Sequence, residues 1–446
     1  MFTRFLSKKV LFVVAVFVFS SFSSSYRPEN AVGYYLSPAG DVNGDGYSDV
    51  LVSVYNNVFG VSKDGRVQLF LGTGNGIGSA AAWTSEGKGG TNYGESIGSA
   101  GDVNGDGYFD VVVGAPRFSN GEENEGAVFI YYGSPSGLDT SPSWIMEGNQ
   151  ANAFFGASVS TAGDVNKDGY ADVVVGASYY DDGETNEGKI FVYLGSASGL
   201  AKTPYFTAQS DQVNAFFGKS VSSAGDVNHD GFGDIVVGAP GYDHGQINEG
   251  RAFLYLGTYG GMTQAPAWTG ESNQADASFG NSVACAGDLN GDGFSDVVIG
   301  ANRFDDKMSN VGKLYVFMGS ANGLGLYPDW TMTGNQIDGN LGISVNAAGD
   351  INGDGYGELI AGAYSNNVQD PVGHVFIYYG SRTGVSTKNI ILNKQSYPGV
   401  NLGLSVATAG DINGDGYADI MAGLSQSGQE WKLTLVKGSA KGLMQP

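Results

Sequence analysis

The stretch Asp-Val-Asn-Gly-Asp-Gly-Tyr-Phe-Asp occupies residues 102–110, and its reading decides the fold. Oxygen-bearing side chains stand at positions 1, 3, 5 and 9, with Gly at position 6. The same arrangement starts again at Asp41, Asp164, Asp226, Asp288, Asp350 and Asp411, at intervals of 61 or 62 residues. Seven copies at so even a spacing mark a repeat architecture, in which each copy is one supersecondary unit.

Working outward, each unit has the same landmarks. A large apolar residue and Gly lie upstream, as at Tyr93-Gly94, Phe155-Gly156, Phe217-Gly218, Phe279-Gly280, Leu341-Gly342 and Leu402-Gly403. A short alternating stretch then leads into the acidic string. It carries small residues at equivalent places (Ser99, Thr161, Ser223, Cys285, Ala347 and Thr408), as expected of a strand crowded near an axis. Downstream is a Val/Ile run ending in Gly, such as Asp110–Pro116 or Asp234–Pro240, which reads as a strand buried on both faces. A polar loop, a second apolar run and a stretch opened by Trp144, Phe206, Trp268 or Trp330 complete the unit. Four strand candidates of ordinary length and no helical period predict an all-β fold, a seven-bladed β-propeller of four-stranded antiparallel blades. The last unit has no Trp stretch, so the segment Tyr26–Val32 is expected to supply the missing strand and close the ring.

The acidic strings have the chemistry of metal loops. Side-chain oxygens at positions 1, 3 and 5 with Gly at 6 match the start of an EF-hand calcium loop. Position 1 is Asp41, Asp102, Asp164, Asp226, Asp288, Asp350 and Asp411; position 3 is Asn43, Asn104, Asn166, Asn228, Asn290, Asn352 and Asn413. Position 5 is Asp45, Asp106, Asp168, Asp230, Asp292, Asp354 and Asp415. Position 7 would give its backbone carbonyl, which frees the side chain to be aromatic: Tyr47, Tyr108, Tyr170, Phe232, Phe294, Tyr356 and Tyr417. Position 9 adds a carboxylate from Asp49, Asp110, Asp172, Asp234, Asp296, Glu358 or Asp419. Hard oxygens without imidazole or thiolate favour calcium over zinc or copper. Position 12 is apolar (Val52, Val113), so the loop belongs to a β-hairpin and not to a helical sensor. Up to seven structural Ca2+ ions are expected, with binding energy acting as folding energy. A tight turn needs only one or two such residues, not all of them seven times.

Composition agrees. The formal net charge of −23 argues against nucleic acid or an anionic membrane as partner. The acidic strings hold close to half of the 45 Asp and Glu residues. The single cysteine, Cys285, excludes an intrachain disulfide and reads as a small strand residue. Arg4, Lys8 and Lys9 precede an apolar run from Val10 to Phe19 and a Ser-rich stretch, so residues 1–25 are expected to be a signal peptide. The propeller is then 26–446, and the expected location is secreted, periplasmic or cell-surface. No later stretch approaches the length of a membrane span.

The Phe-Gly and Gly-Ala-Pro landmarks around an Asp-rich loop resemble the FG-GAP repeats of the integrin α-subunit propeller. The resemblance covers the chain after residue 30. It is strongest in units two to five; unit one has VLVSVY in place of the Gly-Ala-Pro region. It implies a seven-bladed ring with calcium loops on one face and ligand contacts on the other. All seven acidic loops are intact here, and the integrin leg domains and membrane helix are not expected in this chain. The chain looks like a stand-alone secreted relative of bacterial type.

If the acidic loops join the first and second strands, the remaining long loops emerge on the opposite face. Variable loops on a rigid scaffold carry recognition. Arg117, Tyr179, Tyr180, Tyr242, Arg303 and Phe304 are the candidate contacts, joined by Phe154 and Phe216 just before Phe-Gly; the bland alternative is that these aromatics cap inter-blade cores. The expected function is an extracellular ligand-binding or adhesion module, monomeric, with a protein or glycan ligand. A calcium-dependent polysaccharide lyase or hydrolase is the rival, and a structural component of a surface assembly a third reading. His229, His244 and His374 occupy positions that read as surface, and no Ser/His/Asp or Cys/His set is visible.

Overall fold

In the computed structural model the described residues are 35–54, 57–58, 61–62, 64–364, 373–387, 389–392, 400–426 and 432–443. Seven of their antiparallel sheets are the blades of a β-propeller, each with its strands in chain order; two two-stranded ribbons, Asn57–Val58 with Val61–Ser62 and Gly72–Thr73 with Gly76–Ile77, are added in blade one. Blade three is representative: Ser158–Gly163, Asp172–Ala177, Lys189–Tyr193 and Phe206–Gln209. Blades one to six have four strands and blade seven has three among the described residues: Val400–Gly410, Asp419–Gln426 and Lys432–Val436. The segment Tyr26–Val32, expected to add the last strand, and the expected signal peptide lie outside the described residues.

The second strand of each blade explains its composition. Val173, Val174 and Val175 alternate between the two faces of blade three, yet all are fully buried, because a neighbouring blade covers each face. The core is therefore seven interfaces. One joins Val128, Ile130 and Trp144 of blade two to Phe155, Val173, Val175 and Tyr193 of blade three. The Phe-Gly aromatic is the wedge: Phe217 is fully buried between blades three and four and meets Phe253 edge-on at 5.2 Å.

The glycines of the signature meet across that interface. A Cβ on Gly176 would lie 2.1 Å from the carbonyl oxygen of Gly218, which leads into the next blade. The Gly-Ala-Pro glycine is thus a point of backbone contact between blades, where no side chain fits. In the first strands, Gly101, Gly163, Gly225 and Gly287 stand at register shifts before the acidic loop. Their N–H groups donate to Ser99 Oγ, Thr161 Oγ1, Ser223 Oγ and Cys285 Sγ. The small residues near the axis therefore also satisfy a bulge donor.

Blade seven closes on blade one by the same contacts that join blade two to blade one. Phe109 N and Ser134 N of blade two donate to the carbonyls of Asp41 and Val42 in blade one. Ser48 N and Thr73 N of blade one donate to Asp411 and Ile412 in blade seven, each at 3.0 Å. Leu36 N donates to Ser405 Oγ at 3.1 Å, and Leu36, Val50 and Phe70 pack on Ala407, Ile412 and Met421.

Candidate functional site

Each acidic loop joins the first and second strands of its blade. In blade two, Asp102 Oδ1 accepts from Gly105 N and Asp106 N, and Asp102 Oδ2 accepts from Gly107 N. Asn104 Oδ1 accepts from Asp106 N, and Asp106 Oδ1 from Tyr108 N. The residues at positions 1, 3 and 5 thus fold the loop around their own oxygens. Gly107, at position 6, has φ of 91°, a conformation that admits Gly readily.

Position 9 is different in kind. Asp172 is fully buried; its Oδ2 accepts from Val165 N at 2.8 Å and its Oδ1 from Gly195 N at 2.9 Å. It ties the acidic loop to the hairpin that follows the third strand. Desolvation pushes its carboxyl up to about 7 against those two hydrogen bonds, and the charges of Asp168 and Asp164 add to the rise. The other ninth-position groups show the same balance: Asp49, Asp110, Asp234 and Asp296 at about 7, Glu358 at about 8 and Asp419 at about 6.

In blade six the acidic groups gather closely enough to hold a metal ion. Carboxylate oxygens of Asp350, Asp354 and Glu358 lie within 4.8 Å of one another. In each of the other loops, at least one acid at position 1 or 5 raises the ninth carboxyl electrostatically. The donor set is oxygen only, and a cation among these groups would relieve their repulsion and the buried negative charge. The residues present therefore fit a hard divalent ion.

Position 7 is expected to offer its backbone carbonyl, with an aromatic side chain. That side chain has its own work. Tyr108 of blade two lies against Gly44 of blade one, so close that a Cβ there would meet its ring at 2.7 Å. The pairing closes the ring, with Tyr47 against Gly414 of blade seven. Blades three and four carry Lys167 and His229 in place of that glycine. Lys167 Nζ lies 5.2 Å from the ring centroid of Phe232, and His229 meets Phe294 edge-on at 5.8 Å. Each loop leans on the next, so the acidic loops form one belt around the propeller.

On the opposite face the candidate contacts separate into two sets. Phe154 and Tyr179 lie edge-on with centroids 5.0 Å apart, Tyr179 is 5.0 Å from Phe216, and Arg117 lies 5.6 Å over Phe154. These four make a row across blades two to four. Tyr180, Tyr242 and Phe304 pack instead against the inter-blade cores, each under a cation: Lys189, Arg251 and Lys313. Arg303 is exposed on blade five. Glutamines missed in the sequence reading pin these loops. Gln150 donates to Asp181 O and accepts from Asp181 N, both at 2.8 Å, and Gln212 and Gln274 hold Asp243 and Asp305 in the same way. Their recurrence at 62-residue intervals was the available signal.

The FG-GAP repeat pattern matches residues 34–70, 93–131, 155–193, 217–255 and 279–317, and an FG-GAP-like repeat matches 350–422. The chain is an FG-GAP propeller. It is 33% identical to Integrin alpha-5 of Xenopus laevis over 222 residues, 48% of this chain and 20% of that protein. It is 34% identical to Integrin alpha-V of Gallus gallus over 219 residues, 46% of this chain and 20% of that one. With Integrin alpha-4 of Xenopus laevis it shares 31% identity over 243 residues, 53% of this chain and 22% of the relative. The matched part of this FG-GAP propeller thus spans about a fifth of each relative's length. Among its described residues no helix is long and apolar enough to cross a membrane.

Proposed function

We propose that this propeller is a secreted, calcium-stabilised binding module, not an enzyme, and that it takes a protein or glycan ligand on the face opposite the acidic loops. The secreted reading rests on the charged and apolar segment before residue 26, and the non-enzymatic reading on kinship with integrin α-subunits. Calcium is supported by the all-oxygen loops and by the closely gathered carboxylates of blade six.

One observation carries the choice of face. Phe154 and Phe216 have φ of 52° and 54°, whereas the equivalent positions of blades two and six hold Asn92 and Asn340 in the same left-handed conformation. Asn enters that region easily; a bulky aromatic does so at a cost. Strain of this kind is retained where the side chain is used. The two rings stand with Tyr179 and Arg117 in a row on loops pinned by Gln150 and Gln212. Aromatic faces on preordered loops suit sugar rings or apolar peptide side chains, because little is lost on binding.

The test is a glycan array and a pull-down with the full chain, compared with the Phe154→Asn/Phe216→Asn double variant. The variant is expected to lose the ligand at least tenfold while melting no lower than the parent. Undiminished binding by the variant would remove this face from the reading.

A further inference from the structure

The same face carries a second cluster, unrelated to the acidic loops. In blade four, His244, Glu249 and Glu271 place ligand atoms within 4.8 Å of one another. His244 lies in the loop after the second strand, Glu249 just before the third strand, and Glu271 ends the fourth. We propose that these three side chains form a site for a single zinc-class divalent ion.

Glu249 supplies the main argument. It is fully buried, and its Oε1 accepts the N–H groups of His244 at 2.7 Å and Gln246 at 3.3 Å. Its Oε2 is buried with no hydrogen-bond partner. A desolvated carboxylate oxygen without a donor is costly and calls for a proton or a cation. The groups grouped with it are an imidazole and a second carboxylate. His244 Nδ1 is 2.9 Å from Glu271 Oε2, a buried oxygen with which a protonated imidazole pairs. Arg251 Nε stands 3.9 Å from that oxygen, while its Nη2 donates to Thr269 Oγ1 and its guanidinium covers Tyr242. Arg251 carries one charge against the two carboxylates, and the second must come from a protonated His244 or from a bound cation.

Neighbouring blades show what the position does without a metal set. Blade two has Asn120, Glu125 and Glu147, and the Asn120 amide donates to both oxygens of Glu147 at 3.0 and 3.1 Å. Blade three has Asp182, Glu187 and Gln209; Lys189 pairs with Asp182 at 2.7 Å, and the Gln209 amide donates to Asp182 O. In both, an amide donor takes part in the group. Blade four replaces it with an imidazole and keeps two carboxylates. One nitrogen and two carboxylate ligands, with the imidazole side chain 55% exposed, describe a three-ligand zinc site with an open position. Imidazole separates it from the all-oxygen loops, which favour calcium.

The experiment is calorimetric titration of the full chain with zinc chloride in excess calcium, so that the acidic loops do not compete. One zinc per chain is expected, and cobalt in its place should give the visible absorption of a four-coordinate ion. His244→Asn and Glu271→Gln introduce the residues of blades two and three, which keeps the fold safe. Each should weaken zinc at least ~tenfold, as losing a ligand costs no less than losing its supporting group, and leave the calcium response unchanged. No zinc uptake at micromolar concentration, or an isotherm indifferent to both substitutions, would overturn the site. Neither result bears on ligand binding by the aromatic row.

Discussion

Replacing Asp172 by Asn separates two roles of the ninth-position carboxylate, backbone staple and metal partner. The side chain keeps its shape and one acceptor, but its amide faces a backbone N–H that the carboxylate oxygen now satisfies. Losing one charge-assisted hydrogen bond there costs about 2 kcal/mol. Against that, a carboxyl raised from 3.8 to about 7 costs roughly 4 kcal/mol to keep ionised above pH 7, at about 1.4 kcal/mol per tenfold change. The metal-free variant at pH 8 should therefore be more stable than the parent, by about 2 kcal/mol on these figures. In calcium the order should invert, because the parent's charge is compensated and the variant has lost a ligand. Denaturant unfolding followed by tryptophan fluorescence, with and without calcium at pH 8, gives both differences. If the variant is weaker by the same amount in both buffers, the carboxylate is only a staple and its coupling to a metal is refuted.

Two further outcomes follow from the same geometry. The seven ninth-position carboxyls have folded values raised to between about 6 and about 8, so the stability they contribute is full below about pH 4 and is lost progressively as pH rises from there to those folded values. The metal-free melting temperature should therefore fall between pH 5 and pH 8, and the gain on adding calcium should grow over the same range, with protons released on binding; a gain independent of pH would contradict this. Gly176→Ala puts a methyl 2.1 Å from the Gly218 carbonyl, a backbone group with little room to retreat. It should cost about 1–3 kcal/mol by overpacking, read by denaturant unfolding, and an unchanged midpoint would show that the blades separate freely there.

A single blade was almost fully legible in the sequence. The 61- or 62-residue interval gave the number of blades, the Val/Ile run gave the doubly buried strand, and the Asp-x-Asn-x-Asp-Gly string gave the hairpin between first and second strands. These are short-range patterns, set by side-chain alternation and turn chemistry within a dozen residues. The glutamines at 150, 212 and 274 carried the same periodic signal, but no local rule says that Gln grips the backbone of a loop 31 residues later.

Tertiary structure decided what lies between blades. Asp172 and Asp168 look alike in the string, yet one is fully buried and the other stands in an exposed turn, because the second strand enters the packed interior at the ninth position. Tyr180 and Tyr179 are neighbours in the chain; the first packs against a core and the second joins a row with Phe154 and Phe216. Sequence alone determined seven similar units, each with its loop chemistry. Which faces of those units meet, and that blade seven finds blade one, follows from the angle between packed sheets, a property that no one repeat contains.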